Sequence, residues 1–201
     1  MVEIAICYTG DSDSIQNVYQ SHHENIFDVM KMAGIQYDVF IHTWNDSDNY
    51  QLLVPTGYRC DDKEEFLLSC KANEHRLETV KSNGKANDRD KEVILKELCI
   101  MESQKRVTEM AERLKDYDFI IYLGTNIIEK YFPIEILFSL KAKEIGLTMQ
   151  ENFAALVWKE RSLYGKRINE LQAFRKETNS SITEYRKFII DKHFKRKLID
   201  F

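Results

Sequence analysis

The stretch that most constrains this chain is Tyr37-Asp38-Val39-Phe40-Ile41-His42-Thr43-Trp44-Asn45-Asp46. Its first half is a short apolar run rich in β-formers, and its second half turns abruptly polar. Gly34 precedes it, and Asn45-Asp46-Ser47-Asp48-Asn49 closes it. A continuous apolar run bounded by turn residues reads as a buried strand of a parallel sheet. In open α/β sheets, ligands lie beyond the carboxyl ends of such strands. His42, Thr43, Trp44, Asn45 and Asp46 stand at that end. A strand followed by an ordinary polar turn accounts for the same residues equally well.

The residues upstream complete a unit around this strand. Val2–Tyr8 reads as a first strand, and Thr9-Gly10-Asp11-Ser12-Asp13-Ser14 as the turn after it. Ser14 is a good N-cap. Ile15, Val18, Tyr19, His22, Ile26, Phe27, Met30 and Ala33 then fall on one face of a helix of about five turns. Gly34 suits the residue just past its end. The βαβ unit so formed requires a right-handed crossover and a parallel pair.

Downstream, the pattern is broken by Pro55, Gly57 and Gly84, with a short helix at Lys63–Cys70 and an exposed loop at 82–88. A long helix is predicted from Asp90 to Lys115, followed by a second buried strand, Tyr117–Leu123, that stops at Gly124-Thr125-Asn126. Pro133 suits the first turn of a helix running to Glu144 and closed by Gly146. Phe153–Trp158 reads as a strand, Lys159–Lys176 and Ser181–His193 as amphipathic helices, and Lys197–Phe201 as a final edge strand. Neither repeat nor linker interrupts the 201 residues, which fits one domain.

Composition excludes several classes. A net charge of −4 argues against broad nucleic-acid binding, which needs a basic surface. The basic run Lys192–Lys197 reads as a solvated helix end. The four cysteines, Cys7, Cys60, Cys70 and Cys99, form no Cys-x-x-Cys and no zinc spacing. No apolar run approaches the ~20 residues of a membrane span. With a strand starting at Val2 in place of a leader, the expectation is a reduced, cytoplasmic protein.

Ala5-Ile6-Cys7-Tyr8-Thr9-Gly10, Tyr19-Gln20-Ser21, Glu24-Asn25-Ile26 and Asp38-Val39-Phe40-Ile41-His42-Thr43-Trp44 resemble the opening of small GT-A-like glycosyltransferases of large DNA viruses and bacterial polysaccharide clusters. Tyr117–Ile121 resembles the central strand of that family. Asn152-Phe153-Ala154 with Tyr164 resembles its acceptor-side segment, and Ile199-Asp200-Phe201 its closing strand. The resemblance implies a single α/β, Rossmann-type sandwich with a mostly parallel central sheet flanked by helices. It implies a nucleotide-binding half over about residues 1–126 and an acceptor-side half over about 127–201. The implied reaction moves a sugar from a nucleotide diphosphate sugar to a hydroxyl of a glycan or glycoprotein. Mn²⁺ or Mg²⁺ is the implied cofactor. Two departures bear on it. Asp13 stands where relatives usually carry an Arg, and Asn126 stands where they carry the metal-binding Asp. Asn126 offers a carbonyl oxygen but no charge. The alternatives are an inactive nucleotide-sugar-binding protein of the same fold and a structural or partner-binding domain.

The candidate nucleotide-sugar contacts are Tyr8, Thr9, Gly10, Asp11 and Asp13 after the first strand, and His42, Thr43, Trp44 and Asn45 after the second. Gly10 allows close backbone approach, and the loop leads into a helix N-terminus that favours anions. A tight turn with a helix cap explains the same loop. The candidate metal ligands are Asp13 and Asn126, since Mg²⁺ uses one or two carboxylates with phosphate oxygens. Asp-x-Asp strings also occur at Asp46–Asp48, Asp88–Asp90 and Asp116–Asp118, and most such strings are surface turns or caps. His42 reads equally as a satisfied structural histidine, and Trp44 as core. His22 falls on the buried helix face and His23 off it, which argues against a paired metal site. Glu151 matches the acidic position near the acceptor and is the candidate base for an inverting transfer. An exposed Glu ahead of a strand explains it as well.

Overall fold

β1 (Glu3–Gly10) and β2 (Gln36–Thr43) pair in parallel along their whole length, with Glu3 opposite Gln36 and Gly10 opposite Thr43. In this computed structural model the described residues are 2–10, 12–72, 88–124, 131–135, 137, 144–148, 153–157 and 195–199, with side chains at 2–10, 12–69, 99–124, 131–135 and 137. β3 (Gly57–Cys60) adds in parallel to the outer edge of β2, and β4 (Phe119–Leu123) in parallel to the other edge of β1. β5 (Glu144–Thr148), β6 (Phe153–Val157) and β7 (Lys195–Ile199) extend the sheet to the order β3-β2-β1-β4-β6-β5-β7. β6 runs antiparallel to both β4 and β5, while β7 is parallel to β5. The architecture is α/β with a mostly parallel sheet, and the three apolar runs expected to be neighbours are neighbours.

Strand side chains alternate between two covered faces. Ile4, Ile6, Tyr8, Val39, Ile41, Phe119, Ile121 and Leu123 pack with Ile15, Ile26, Phe27 and Met30 on one face. Ala5, Cys7, Phe40, Ile120 and Tyr122 pack with Val107 and Ala111 on the other. Burial on both faces is why these strands read as unbroken apolar runs, with no hydrophobic-polar alternation. Each large aliphatic chain so buried stabilises the fold by about 1.5–3 kcal/mol before entropy is counted.

The first helix is continuous over 15–32: α1 (Ile15–His22), a π-helical turn (His23–Phe27) and α2 (Asp28–Met32). Ser14 makes no side-chain cap. The chain enters through a 3-10 turn, Ser12–Ser14, which already sets Ser14 in helical conformation at φ −73°. The exit matches the sequence reading. Gly34 adopts φ 66°, Ile35 N–H donates to Met30 O at 3.0 Å and Gly34 N–H to Lys31 O at 3.1 Å, which is a Schellman cap. In the π turn the Asn25 carbonyl accepts the Phe132 N–H at 2.8 Å, a bond from outside the helix.

Elsewhere the structure departs from the sequence reading, and Lys195–Lys197 of the basic run read as a helix end lie in β7. The broken stretch after β2 holds a 3-10 helix, Asp48–Leu53, and the edge strand β3. Val54 turns the chain at φ 45°, and Thr56 N–H donates to Val39 O at 2.7 Å, laying β3 along β2. Gly57 pairs with Phe40 in the sheet, and a side chain there is excluded because a Cβ would lie 2.8 Å from Phe40 Cδ1, and Phe40 is buried. Overpacking of this kind costs about 1–3 kcal/mol, so Gly57→Ala is expected to lower the urea midpoint with the m-value unchanged. An unchanged midpoint would mean that the Phe40 ring yields. Gly146, read as a helix stop, lies inside β5, paired with Leu156 and Lys197.

α3 (Lys63–Ala72) is capped by Asp62, whose Oδ1 accepts the N–H groups of Glu64 at 2.7 Å and Glu65 at 3.0 Å. α4 (Asp88–Leu114) crosses β1 and β2 and leads into β4. At the amino ends of the strands, Lys115 bridges Glu3 at 2.9 Å and Asp38 at 3.0 Å, and Tyr117 OH donates to Asp38 at 2.8 Å. The loop read at 82–88, apart from Asp88, and the helices read at 159–176 and 181–193 lie outside the described residues.

Candidate functional site at the carboxyl ends of the parallel strands

The strand order reverses between the parallel neighbours β1 and β4: β2 and β3 lie beyond β1 on one side, and β6, β5 and β7 beyond β4 on the other. The chain after β1 forms α1 on one face and pairs outward through β2 to β3. It returns through α4 on the other face to enter β4. This is a topological switch point, and in open α/β sheets ligands lie beyond the carboxyl ends at such a point. Gly10 ends β1 at the switch point, exposed, with φ 138°, a conformation that side-chain-bearing residues rarely adopt. Gly124 follows β4 at the same end.

Asn45 clasps the loop after β2 to the loop after β1. Its Oδ1 accepts the Ser12 N–H at 3.3 Å and the Thr43 hydroxyl at 2.8 Å, and its carbonyl accepts Ser12 Oγ at 3.1 Å. Its Nδ2 donates to Asp13 Oδ2 at 3.1 Å. Ser12 and Thr43 are buried by the clasp, while Asp13 stays exposed. Outward along the same face, Tyr58 OH donates to Asp46 Oδ1 at 2.9 Å, and the Tyr58 ring stacks on Tyr50 with centroids 3.7 Å apart. Burial and then the Asp46 carboxylate push the Tyr58 phenol well above its ordinary value. Tyr8 lies beneath the loops, buried, with its hydroxyl 2.8 Å from His22 Nδ1.

His42, within β2, and Trp44, just past its end, lie on the opposite face. His42 is fully buried, with Nε2 2.9 Å from Asp61 Oδ2 and Nδ1 2.7 Å from Ser103 Oγ. Burial lowers its pKa; the Arg106 and Arg59 charges add to this and the Asp61 bond and charge oppose it. The ring is therefore neutral near pH 7. Its one N–H goes to the Asp61 carboxylate, and Nδ1 accepts the Ser103 hydroxyl. Ser103, His42 and Asp61 thus have the connectivity of a nucleophilic triad. With Ser103 and His42 sealed from solvent, no substrate carbonyl can reach the hydroxyl, and the arrangement is architectural.

The same Asp61 oxygen also accepts Arg59 Nε at 2.6 Å and Arg106 Nη1 at 2.6 Å. Burial alone would raise the Asp61 carboxyl; the bonds from Arg59, Arg106 and His42 overcome this and hold it well below the usual carboxylate range. Arg106 Nε donates to Glu102 at 2.8 Å, and its guanidinium lies 5.0 Å from the Trp44 ring centre and 5.6 Å from that of Phe66. Trp44 stacks on Phe66, meets His42 edge to face, and donates its indole N–H to Cys99 O at 3.2 Å.

The structure therefore brings Tyr8, Thr9, Gly10, Asp13, Thr43 and Asn45 to one end of the sheet, on or beside the loop clasp, and directs the side chains of His42 and Trp44 into the α4 interface. Asp11, Asn126 and Glu151 lie outside the described residues. Ser12, Asp61, Ser103 and Arg106 escaped the sequence reading. Only Glu102 and Arg106 carried a signal, as an i,i+4 pair of opposite charge on the predicted long helix. Among the described residues, no group of three or more His, Cys, Asp or Glu converges as a metal site, and no helix is long and apolar enough to cross a membrane.

No protein-family model matches the sequence, and no curated protein matches it. Among the solved structures similar to this chain is the apo form of the glycosyltransferase GlyE of Streptococcus pneumoniae TIGR4, at 9% identity and a TM-score of 0.48. The similarity covers 98% of this chain and 45% of that one, so this chain spans less than half the length of GlyE.

Proposed function

We propose that this chain binds a nucleotide diphosphate sugar beyond the carboxyl ends of β1, β2 and β4 and, as a GT-A-like glycosyltransferase, moves the sugar to a glycan hydroxyl. The observation that carries the reading is the switch point at β1 and β4, rimmed by Gly10 and by the loops that Asn45 ties together. Gly10 gives the diphosphate a close backbone approach. The Ser12, Thr43 and Asn45 bonds keep the two loops at a fixed separation, so donors need not reorganise when charge builds on the leaving diphosphate. Asp13, exposed and oriented by Asn45, is the described residue that would hold a Mn²⁺ or Mg²⁺ ion, with Asn126 as a neutral oxygen ligand. Such an ion would neutralise the diphosphate. Glu151 is the proposed base for the acceptor hydroxyl.

Asn126 in place of a carboxylate favours a second reading, a nucleotide-sugar-binding protein without turnover. The two part in a thermal-shift and calorimetric panel of uridine and guanosine diphosphate sugars, with and without Mn²⁺, on wild type, Asp13→Asn and Asn126→Asp. An uncompensated carboxylate ~4 Å from a phosphate charge costs about 4 kcal/mol at an effective dielectric of 20. If Asp13 holds the ion, Asp13→Asn weakens Mn²⁺-dependent binding. If the site has lost its metal, wild type responds little to Mn²⁺ and Asn126→Asp creates a response. Tight binding that ignores Mn²⁺ in all three proteins contradicts both metal schemes. No shift with any nucleotide sugar would leave a structural or partner-binding domain.

A further inference from the structure

We infer that Arg106 is a positioning residue for the donor loop, fixing the backbone of residues 43–46 from the opposite face of the sheet. The inference rests on the proposed function for its ligand, though not for its geometry. At and just past the end of β2 the side chains divide: Thr43 and Asn45 join the loop clasp, while His42 and Trp44 enter the α4 interface. The backbone between them is held from two sides. On the α4 side, Ser103 holds His42 and the Cys99 carbonyl holds Trp44, and Arg106 links the two. Its guanidinium lies over Trp44, and its Nη1 binds the Asp61 oxygen that also takes His42 Nε2. Asp61 N–H in turn donates to Thr43 O at 3.1 Å. Arg106 therefore restrains both side chains that flank Thr43 and, through Asp61, the Thr43 carbonyl itself.

The chemistry of the cluster argues for orientation over stability. Buried ion pairs add little net stability over well-packed apolar residues of similar volume. An arginine held by two carboxylates adds a fixed plane and direction. That plane lies across Trp44 while Nε reaches Glu102 and Nη1 reaches Asp61. A lysine, a point charge on a flexible stem, cannot meet all three demands. Trp44 also provides the readout, because the chain has two tryptophans and Trp158→Phe leaves Trp44 alone.

In the Trp158→Phe background, Arg106→Met and Arg106→Lys are compared by melting temperature, amide hydrogen exchange, titration with uridine and guanosine diphosphate, and Trp44 emission. In the free protein, exchange at 43–46 is expected to rise about tenfold or more in Arg106→Met while residues 4–8 are unchanged, because local openings are separable from global unfolding. Nucleotide affinity should fall roughly tenfold, as misplaced binding groups do, and Trp44 emission should shift in the free protein, where the guanidinium has left its ring. Arg106→Lys should recover part of the melting temperature but not the affinity. A merely structural role would lower the melting temperature and leave the exchange pattern and the affinity of the folded protein intact, and that result overturns the inference. If Arg106→Met does not fold, Arg106→Lys decides on the same criteria. If wild type binds neither nucleotide, the proposed function fails, and exchange at 43–46 alone decides whether Arg106 positions the loop.

Discussion

Replacing Gly10 by valine is expected to remove nucleotide binding from a protein that still folds. Gly10 sits at φ 138°, where a β-branched residue is strained whatever the space around it. Such strain costs of order 1–3 kcal/mol. In a domain of this size each kcal/mol shifts the melting temperature by roughly 2–4 °C, so the variant melts lower but remains folded at 25 °C. The larger effect is on the ligand. If the chain relaxes, the end of β1 moves relative to Thr43, its register partner, and if it does not, the isopropyl group fills the approach to the diphosphate. Either way the affinity is expected to fall by about a hundredfold, the scale of an ångström-level misplacement. Gly10→Ala separates the two causes, since it keeps the strain with little bulk. Calorimetry that finds wild-type affinity in folded Gly10→Val removes this loop from the site.

The second large effect is at Asp61. Asp61→Asn leaves Arg59 and Arg106 without their shared charge and turns an oxygen that accepts three donors into a neutral group. Removing one partner of a buried pair costs 3–5 kcal/mol. Asp61 is 21% exposed, so water offsets part of this, and about 2–3 kcal/mol is expected by urea unfolding at pH 7. The pH dependence gives an independent check. The folded Asp61 carboxyl lies below its ordinary value of 3.8, so its contribution is present above that pH and is lost as pH falls through the lower folded value. His42 acts in the same direction. Burial holds it below 6.5, so the unfolded chain takes up the proton first and stability declines as pH falls from 6.5 toward the lowered value. The wild-type advantage over Asp61→Asn should therefore narrow below pH 3.8. A gap that stays constant from pH 7 to strongly acid conditions would contradict the assignment of the three bonds to an ionised Asp61.

Several features were legible because they depend on neighbours in the sequence. The βαβ start follows from two apolar runs and one helical stripe, and Gly34 from the conformation that a Schellman cap requires. The buried face of the first helix, with His22 inside and His23 outside, follows from a period of 3.6 residues. The polar switch at His42–Asp46 marked the end of a parallel strand, where crevices form. Local reading failed where a distant group decides. Pro55 and Gly57 punctuate like a loop, yet Gly57 pairs with Phe40 in the sheet and is glycine because the Phe40 ring fills the space that its Cβ would need. Gly146 reads as a helix stop and is instead held in β5 by partners on two other strands.

The amino-acid order by itself determined that Tyr37–His42 is a buried strand ending in a polar switch, because a continuous apolar run bounded by turn residues suits burial on both faces. Which face carries the loop clasp and which carries the ion-pair network was decided only in three dimensions. Asp61 and Arg106 reach His42 and Trp44 from a different strand and a different helix, and no local pattern encodes that meeting. The tertiary packing fixes it because burying a carboxylate, an imidazole and a guanidinium is tolerable only where each finds the others within hydrogen-bonding distance.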